Sequence, residues 1–304
     1  MTRIAVKSHP AVAVIGLGIM GSAMAGHLAK AGVRVNGVDV DMTARKRMAR
    51  LLESVEASAS NALVGCKIAI TSLPSVGALD AVVEQIIAMG KQCPKGLVVM
   101  ETSTLPLTNK LQARDQLAAV GVTLLDCPLS GTGAQAKKKD LAIYASGDKK
   151  AIGRIRGLCQ HFSRVVYDVG VFGNGTQMKL VANLLVALHN VSTAEALLFG
   201  QRLGLDQMQM VNVLSDGAGG SRMLSVRGPV MATRTWQDAA MKVGVWQKDM
   251  QIIGDALKDA KVPAPLFSAS VPIYLAAMAQ GHALHDTAAV YAVLARMAGE
   301  EVPQ

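Results

Sequence analysis

The stretch AVAVIGLGIMGSAMAGHL, residues 11–28, joins an apolar run to a glycine-rich turn and then to a helix-forming segment. Gly16, Gly18 and Gly21 have the spacing G-x-G-x-x-G at the point where a strand passes into a helix, as the mechanism of this motif requires. Gly16 permits a tight turn, Gly18 allows close approach to the backbone, and Gly21 allows close packing of the helix. The N-terminus of the helix then favours a pyrophosphate, whereas the alternative is an ordinary strand-to-helix turn. The residues predicted to bind this ligand are Gly16, Leu17, Gly18, Ile19, Met20 and Gly21.

The second apolar run ends in an acidic residue, Asp39, which lies 18 residues after Gly21. A carboxylate at this point accepts hydrogen bonds from the 2′-hydroxyl of a ribose and repels a 2′-phosphate, so the sequence favours NAD over NADP as cofactor. The basic cluster at 45–47 keeps NADP possible. Alternatively, Asp39 caps the next helix, a role for which Asp41 is better placed.

Short apolar runs alternate with helical patterns from residue 11 to about residue 170, as in AVAVIGL, KIAITSLP and VTLLDCPLSG. This rhythm indicates strand–helix–strand units, and continuous Val, Ile and Leu runs are typical of strands buried on both faces of a parallel sheet. From about residue 174 the strand signals stop and long helical patterns fill the chain. The sequence therefore predicts an α/β fold, with a Rossmann-like, doubly wound and mostly parallel sheet followed by an all-α domain. The predicted boundaries are 1–173 for the dinucleotide-binding domain and 174–304 for the helical domain.

The composition argues against nucleic acid and membranes as partners. The chain of 304 residues has a net charge of +9, with basic clusters at 44–47 and 137–139, but only 3% of its residues are aromatic. The sequence has neither the aromatic platforms that stack on bases nor the basic helices or zinc motifs that read the grooves of DNA. Solvated basic faces that attract anionic ligands therefore explain the positive charge better. The first residues, MTRIAVKSHP, imitate a signal peptide, which we reject because the following apolar run carries the spaced glycines. No uninterrupted apolar stretch of about 18 residues occurs elsewhere, so we expect no membrane span.

The cysteine and histidine patterns favour a reduced protein without a bound metal. Cys66, Cys93, Cys127 and Cys159 lack metal-binding spacing and are typical of core residues in a cytoplasmic protein. The pair His282 and His285 lacks an acidic partner at a spacing suited to a metal site, so we expect none.

Four stretches, the glycine turn among them, follow one another along the chain: GLGIMGSAMAGHL (16–28), DCPLSGTGAQA (126–136), GNGTQMKLVANLL (173–185) and KDMQIIGDA (248–256). Their order and approximate spacing resemble the motifs of the β-hydroxyacid dehydrogenase family, which includes 3-hydroxyisobutyrate dehydrogenase. SLP at 72–74 and ETST at 101–104 are similar to the cofactor loops of this family. The resemblance, which covers almost the whole chain, implies hydride transfer between NAD(H) and a small anionic β-hydroxy acid, such as 3-hydroxyisobutyrate or a tartronate semialdehyde-like acid. It also implies that the helical domain closes the substrate cleft and supports a homodimer or homotetramer.

The resemblance assigns catalysis to two residues of one helix. Lys179, the one charged residue in the apolar run 173–188, corresponds to the family's acid/base, and Asn183, one helical turn later, corresponds to the residue that orients the substrate. Judged from the residues alone, Lys179 has a second interpretation as a rim lysine whose stem covers the core. A lysine with an ordinary pKa of about 10.4 is a poor base near neutrality, so the chemistry requires desolvation or a nearby cation.

The remaining site residues are likewise implied by the resemblance. The substrate carboxylate is expected to bind to the loop Ser130, Gly131 and Thr132, and Lys248 matches the basic residue that closes over cofactor and substrate. The positions that resemble the lining of the nicotinamide ribose are Leu73, Pro74 and Thr104.

Several positions depart from the family pattern or suggest other functions. Thr132 stands where the family usually has glycine, which predicts a reshaped acid-binding loop, and His27 replaces a frequent asparagine, where we expect a helix-face residue. We expect Asp249 to support the site and the glycine-rich segment 217–220 to break a helix. An imine reductase on the same scaffold and a catalytically silent dinucleotide-binding interaction module are the alternatives. Both kinds of relative generally lack the lysine, so Lys179 argues against each.

Overall fold

The computed structural model of the protein describes residues 11–301. Residues 1–10, which carry the basic start of the signal-peptide pattern, and residues 302–304 lie outside the described residues. The chain divides into two compact units, residues 1–179 and residues 180–304. Each unit has its own apolar core.

The first unit alternates strands and helices. Its strands are β1 (Val12–Ile15), β2 (Val35–Val38), β3 (Ser54–Glu56), β4 (Ile68–Thr71), β5 (Val98–Glu101), β6 (Thr123–Asp126), β7 (Leu129–Ser130), β8 (Ala142–Ala145) and β9 (Val165–Asp168). Its helices are α1 (Ile19–Lys30), α2 (Met42–Met48), α3 (Ala59–Leu63), α4 (Val76–Ala88), α5 (Leu107–Ala119), α6 (Gly133–Lys137) and α7 (Lys149–Cys159), with a short 3-10 helix at Gly90–Gln92.

Within residues 11–301, six strands form one parallel sheet in the order β3-β2-β1-β4-β5-β6. This is the strand order of the doubly wound dinucleotide-binding fold, in which the winding reverses between β1 and β4. The strands end in register: Ile15 pairs with Val38 and Thr71, Thr71 with Glu101, and Glu101 with Asp126. Because ligands of such sheets bind beyond the carboxyl ends near the reversal, the topology defines one edge for a site.

The sheet is buried on both faces, which explains its continuous apolar strands. All four residues of β1 are buried. Side chains alternate across a strand, so Val12 and Val14 join one core while Ala13 and Ile15 join the other. Helices therefore cover both faces, as the predicted α/β fold requires.

Two features of the first unit were not predicted. Strand β3 pairs with β2 at the sheet edge, and its three residues are only partly buried, so it lacks the apolar run that marks the other strands. The apolar runs LAIYASG (141–147) and RVVYDVG (164–170), which continue the strand rhythm in the sequence, form β8 and β9. These strands belong to a separate three-stranded sheet, in which β7 runs antiparallel to β8. The predicted doubly wound, mostly parallel sheet followed by helices is confirmed.

The second unit is helical. Helix α8 (Asn174–Arg202) begins in the first unit and continues into the second. The other helices are α9 (Gln207–Asp216), α10 (Arg222–Ala232), α11 (Val243–Asp259), α12 (Pro265–Ala279) and α13 (Val290–Met297), with 3-10 helices at His282–Leu284 and Thr287–Ala289. Their core contains the aromatic residues Trp236, Trp246, Tyr274 and Tyr291.

By length and composition, α8 is the one helix in the described part of the chain that could cross a membrane. Its polar residues are used inside the helical unit: Asn190 is buried and donates to Tyr274 Oη at 3.1 Å and to the carbonyl oxygen of Thr287 at 2.9 Å. Asn183 is buried as well and donates to Asp249. Two polar side chains of α8 are therefore hydrogen-bonded inside the helical unit.

The cysteines serve mainly as core residues. Cys66, Cys127 and Cys159 are buried free thiols, and Cys93 is partly buried. Burial raises the pKa of the Cys66 thiol to about 11 and that of Cys159 to about 12. These thiols are protonated at neutral pH, and a protonated thiol is a poor nucleophile.

Candidate active site

The glycine turn connects β1 to α1, and its geometry explains the residue at each position. Gly16 has a φ of +93°, and a Cβ added there would stand 2.1 Å from the carbonyl oxygen of Ser72. A Cβ at Gly21 would stand 1.8 Å from the carbonyl oxygen of Gly16, so the helix lies directly on the turn. A Cβ at Gly18 would meet no described atom within 4 Å. The first and third glycines are thus required by the fold, while the middle one faces open space.

The N-terminus of α1 is available to an anion. Gly18 occupies the N-cap position, where it has no side chain to accept from the first amides, and the first turn contains no acidic residue. The next residue, Ile19, is 65% exposed. Helix amides without a capping partner, at the positive end of the helix dipole, fit the pyrophosphate of a dinucleotide.

Asp39 lies just beyond the end of β2 and holds the glycine turn. Its Oδ2 accepts from the Leu17 amide at 2.7 Å, and its Oδ1 accepts from the Asp41 amide at 2.9 Å. Asp41, as expected, is the cap of α2, because its carboxylate accepts from the amides of Thr43 and Ala44. Asp39 is therefore not the cap of α2. Its carboxylate binds the glycine turn and is available to a ligand that binds beside it.

Two arginines of α2 lie against the same turn. Arg45 Nη1 donates to the carbonyl oxygen of Asp39 at 2.7 Å, and Arg47 Nη2 donates to that of Leu17 at 2.7 Å. Guanidinium groups at this position are suited to phosphate, so NADP stays chemically possible beside the carboxylate of Asp39.

The loops after β4 and β5 are joined to each other. The amide of Leu73 donates to Ser103 Oγ at 2.8 Å. Leu73 and Thr104 are partly buried and Pro74 is exposed. The predicted cofactor-loop residues thus follow two adjacent strand ends, next to the reversal between β1 and β4.

The loop 130–132 ends in a helix cap that the sequence analysis did not identify. Thr132 is the N-cap of α6: its Oγ1 accepts from the Gln135 amide at 3.4 Å, while the Thr132 amide donates to Gln135 Oε1 at 3.0 Å. The signal was present as T-x-x-Q, the pattern of a capping box. Ser130 and Gly131 precede this cap, and both are partly buried. The threonine that replaces the family's glycine therefore holds the start of α6.

The start of α8, which carries Lys179, is bound to the carboxyl end of β6. Asp126 accepts from the Thr176 amide with Oδ2 at 2.7 Å and from Thr176 Oγ1 with Oδ1 at 2.8 Å. A Cβ at Gly175 would stand 2.5 Å from the carbonyl oxygen of Tyr144, so this close approach requires glycine. Lys179 follows Thr176 by three residues, which is about one helical turn, and it is partly buried.

A buried ion network lies beneath this edge and was missed by the sequence analysis. Lys110 of α5 is fully buried, and its Nζ lies 2.6 Å from Glu101 Oε2 and 2.9 Å from Asp126 Oδ1. Burial opposes the charged form, but the two carboxylates outweigh it and raise the pKa of Lys110. A usable signal was the position of Lys110 on the same helix face as Ala113 and Leu117, both of which are buried.

Asn183 and Lys248 meet at one carboxylate in the second unit. Asn183 Nδ2 donates to Asp249 Oδ2 at 3.2 Å, and both residues are buried. Lys248 Nζ lies 3.6 Å from Asp249 Oδ1 and its side chain is 40% exposed. Asp249 thus accepts from the amide of Asn183, and its supporting role in the site stays a prediction.

The other residues singled out from the sequence make protein contacts. His27 Nε2 lies 2.9 Å from the carbonyl oxygen of Ala136 and joins α1 to α6. Segment 217–220 separates α9 from α10, as expected. His282 and His285 face each other through their Nδ1 atoms at 2.8 Å. Among residues 11–301, no group of three or more His, Cys, Asp or Glu residues is arranged to hold a metal ion.

Comparison with protein families identifies both halves of the chain. Residues 11–170 match the NAD binding domain of 6-phosphogluconate dehydrogenase, and residues 173–294 match the NAD-binding domain of NADP-dependent 3-hydroxyisobutyrate dehydrogenase. The chain belongs to the β-hydroxyacid dehydrogenase family. The family resemblance predicted from the sequence is confirmed.

Relatives in the β-hydroxyacid dehydrogenase family are matched over nearly their full length. An NAD-dependent L-serine dehydrogenase of Pseudomonas aeruginosa is 28% identical over 92% of this chain and 96% of its own. A 2-hydroxy-3-oxopropionate reductase of Escherichia coli is 28% identical over 95% of this chain and 98% of its own. The predicted oxidoreductase that acts on hydroxy acids with NAD(P) is confirmed at this level.

Solved structures with the same fold include one of a 3-hydroxyisobutyrate dehydrogenase. A Mycobacterium tuberculosis 3-hydroxyisobutyrate dehydrogenase, described with L-serine, has a TM-score of 0.82 at 26% identity and covers 94% of this chain and 99% of its own. An imine reductase from a Pseudomonas species has a TM-score of 0.62 at 17% identity, over 94% of this chain and 99% of its own. The second likeness concerns the fold alone.

Proposed function

We propose that this β-hydroxyacid dehydrogenase prefers NAD, acts on a small β-hydroxy acid, and uses Lys179 as acid/base. The observation that carries the proposal is the common edge of the sheet. The glycine turn, Asp39 and the loop at 101–104 follow strands that end in register, and the helix of Lys179 starts on Asp126 at the end of the next strand. The helix that carries Lys179 is thus fixed at the edge where the cofactor is expected to bind. This position supports a catalytic role for Lys179 over the interpretation as a rim lysine.

The preference for NAD rests on Asp39. Its two oxygens already accept from the amides of Leu17 and Asp41, which fixes the carboxylate beside the open turn. Each oxygen retains a further lone pair for a ribose hydroxyl, while its negative charge opposes a 2′-phosphate. The proposed contacts of the cofactor loops, Leu73, Pro74 and Thr104, complete this part of the site.

The cofactor, when bound, supplies a nicotinamide ring that accepts or donates hydride. The protein has to bind the acid and move one proton. Lys179 takes the proton of the substrate hydroxyl during oxidation and returns it during reduction, and Asn183, which cannot titrate, orients the substrate. Ser130 Oγ and the Gly131 amide bind the carboxylate beside Thr132, whose own amide already donates to Gln135 Oε1. This anchoring orients the substrate before the reaction.

We propose that Lys248 is the cation that closes over substrate and cofactor, as the family pattern implies. Its ammonium is partly exposed and stands 3.6 Å from the carboxylate of Asp249, which also accepts from Asn183. Asp249 thereby couples the positions of Lys248 and Asn183. A change at Asp249 is expected to disturb both.

We also propose a cytoplasmic homo-oligomer, a dimer or tetramer, as the family resemblance implies. Large apolar side chains support it because they are exposed in the helical unit: Val181 is 59%, Leu185 is 45% and Phe199 is 67% exposed, all on α8. Apolar side chains aligned on one helix favour a protein contact. Sedimentation of the purified protein tests this point, and a monomer at all concentrations contradicts it.

The test of the main proposal is replacement of Lys179. Lys179→Ala keeps the helix, since alanine is the best helix former, but removes the proton carrier. We expect kcat to fall by about 10² to 10⁴, the usual size of general acid/base catalysis, while NADH fluorescence still reports binding. Lys179→Arg keeps the charge but does not usefully deprotonate, so it should be almost as impaired.

The opposite result identifies the alternatives. If Lys179→Ala keeps more than about a tenth of the wild-type kcat, general acid/base catalysis by Lys179 is wrong. A panel of β-hydroxy acids and cyclic imines, run with wild-type protein, distinguishes the hydroxy-acid enzyme from an imine reductase. NADH binding without turnover on any of these compounds indicates the silent binding module.

A further inference from the structure

Lys110 has an unusual environment for a lysine, because all its hydrogen-bonding capacity is used in the interior. Its Nζ donates to the carbonyl oxygen of Ser103 at 2.6 Å and to Asp126 Oδ1 at 2.9 Å, and it stands 2.6 Å from Glu101 Oε2. An ammonium has three N–H donors, and three acceptors from described residues surround it. The group is fully buried, and the carboxylates keep it charged.

A buried ion network of this kind is a weak device for stability, because the desolvation of its charges offsets their attraction. A better explanation for such a network is that it fixes the segments it joins in one arrangement. The parts joined by Lys110 are the loop after β5 and the start of α8.

On the loop side, the network reaches the predicted cofactor positions. Glu101 Oε1 accepts from the Ser103 amide at 2.8 Å, and Ser103 Oγ accepts from the Leu73 amide at 2.8 Å. Lys110 holds the same segment through the Ser103 carbonyl. The ammonium therefore fixes the backbone on which Leu73 and Thr104 stand.

On the helix side, the network reaches the segment that carries the acid/base. Asp126 shares its Oδ1 between Lys110 and Thr176 Oγ1, and its Oδ2 accepts from the Thr176 amide. Ser146 Oγ donates to the same carboxylate and accepts from the Gly175 amide at 3.0 Å. The first turn of α8 is therefore hydrogen-bonded to the Asp126 carboxylate, and that carboxylate also accepts from Lys110.

We infer that Lys110 is a positioning residue that sets the placement of Lys179 relative to the nicotinamide loop. This inference rests on the proposed function. Lysine suits the task because its compact ammonium meets three converging oxygens, whereas the planar guanidinium of arginine is too large for this fully enclosed point. Misplacement of a reacting group by about 1 Å can lower a rate by about 10².

The decisive experiment compares two replacements of Thr176. Thr176→Val has the same shape but removes the hydroxyl that Asp126 accepts from, so the start of α8 loses one of its two hydrogen bonds to Asp126. Thr176→Ser keeps the hydroxyl and loses only a methyl group. We expect Thr176→Val to lower kcat about tenfold with an NADH dissociation constant within about twofold of wild type, and Thr176→Ser to retain kcat. Equal kcat values in the two variants, measured per folded site, overturn the inference.

Lys110→Met tests the centre of the network. We expect kcat per folded site to fall by about 10² and NADH binding to weaken, because both the helix and the cofactor loop are released. Arg227→Met is the matched control, since Arg227 and Asp286 form a buried ion pair in the helical unit at 3.0 Å. This control should lower the melting temperature but leave kcat per folded site unchanged. If Lys110→Met does not fold, the Thr176 pair decides.

Lys179→Ala separates this inference from the proposed function. An impaired Lys179→Ala variant together with a fully active, folded Lys110→Met variant overturns only the positioning role. An active Lys179→Ala variant overturns the proposed catalysis itself. NADH binding, measured by fluorescence in every variant, provides a readout that does not depend on turnover.

Discussion

The glycine turn offers a test in which fold and cofactor binding respond to different residues of one helix. Three single changes to alanine are compared: Gly18, Gly21 and Gly26. Gly18 has open space at its Cβ position, Gly21 has a backbone oxygen at 1.8 Å, and Gly26 has the Leu51 Cδ2 atom at an ordinary 3.5 Å. The same methyl group therefore meets three different environments, one at the N-cap of α1 and two within the helix.

The expected magnitudes follow from these distances. Gly26→Ala should be neutral or stabilising by up to about 1 kcal/mol, because alanine in a helix loses less entropy than glycine. Gly21→Ala places carbon about 1.5 Å inside the usual ~3.3 Å carbon–oxygen contact, so the turn must move and stability should fall by about 3 kcal/mol. Gly18→Ala should cost at most about 1 kcal/mol, because its φ of −65° suits alanine and only the N-cap preference is lost.

Cofactor binding should follow a different order. A methyl group at Gly18 fills the space through which a pyrophosphate approaches the helix amides, so the NADH dissociation constant should rise at least tenfold, about 1.4 kcal/mol. Gly26→Ala should bind NADH like wild type. Thermal melts measure the first quantity and NADH fluorescence titrations the second. If Gly18→Ala binds NADH as tightly as Gly26→Ala, close approach of the cofactor at this turn is refuted.

Three other predictions concern charge. Asp39→Asn should narrow the preference for NAD over NADP about tenfold in kcat/KM, since the opposing charge is lost; an unchanged ratio assigns selectivity elsewhere. An alcohol that lacks the carboxylate expected at Ser130 should lose about 1.5–3 kcal/mol of binding, and equal turnover of both compounds argues against the acid-binding loop. Burial, followed by the charges of His285 and Arg296, lowers the pKa of His282 to about 4. Because the unfolded chain takes up this proton near pH 6.5, stability should decrease as pH falls from about 6.5 to 4, and His282→Gln should flatten that slope in melts.

Much of the fold was predictable because burial on both faces leaves continuous apolar runs in the sequence. The strand-to-helix turn at 11–28 was the strongest signal, since three glycines answer three separate steric demands. Strand β3 was missed because an edge strand with partly buried residues needs no apolar run. The second sheet was missed because β7 has only two residues, and no periodicity can be recognised over that length.

Candidate site residues could be picked out from the sequence where the residue type is unusual for its local segment. They could not be picked out where their role depends on partners far away in the sequence. Lys179 stood out as the lone charge of an apolar helix. Lys110 did not, because α5 has many polar residues and the carboxylates of Glu101 and Asp126 meet the lysine only after three separate elements assemble. Thr132 was judged by what the family has there, although the local pattern with Gln135 indicated a helix cap.

The shared edge of the six-stranded sheet also determines when the site forms during folding. Its residues come from strand ends between positions 15 and 126, and β1, near the centre of the sheet, pairs with β2 and with β4, which begins more than 50 residues later in the sequence. These are contacts of high sequence separation, which form late and slow the search for the native topology. A partly paired sheet has no complete cofactor edge, so the dinucleotide recognises only the finished topology. The cofactor should then act as a ligand of the native state alone, and its cellular concentration should contribute to the lifetime of the enzyme as well as to its turnover.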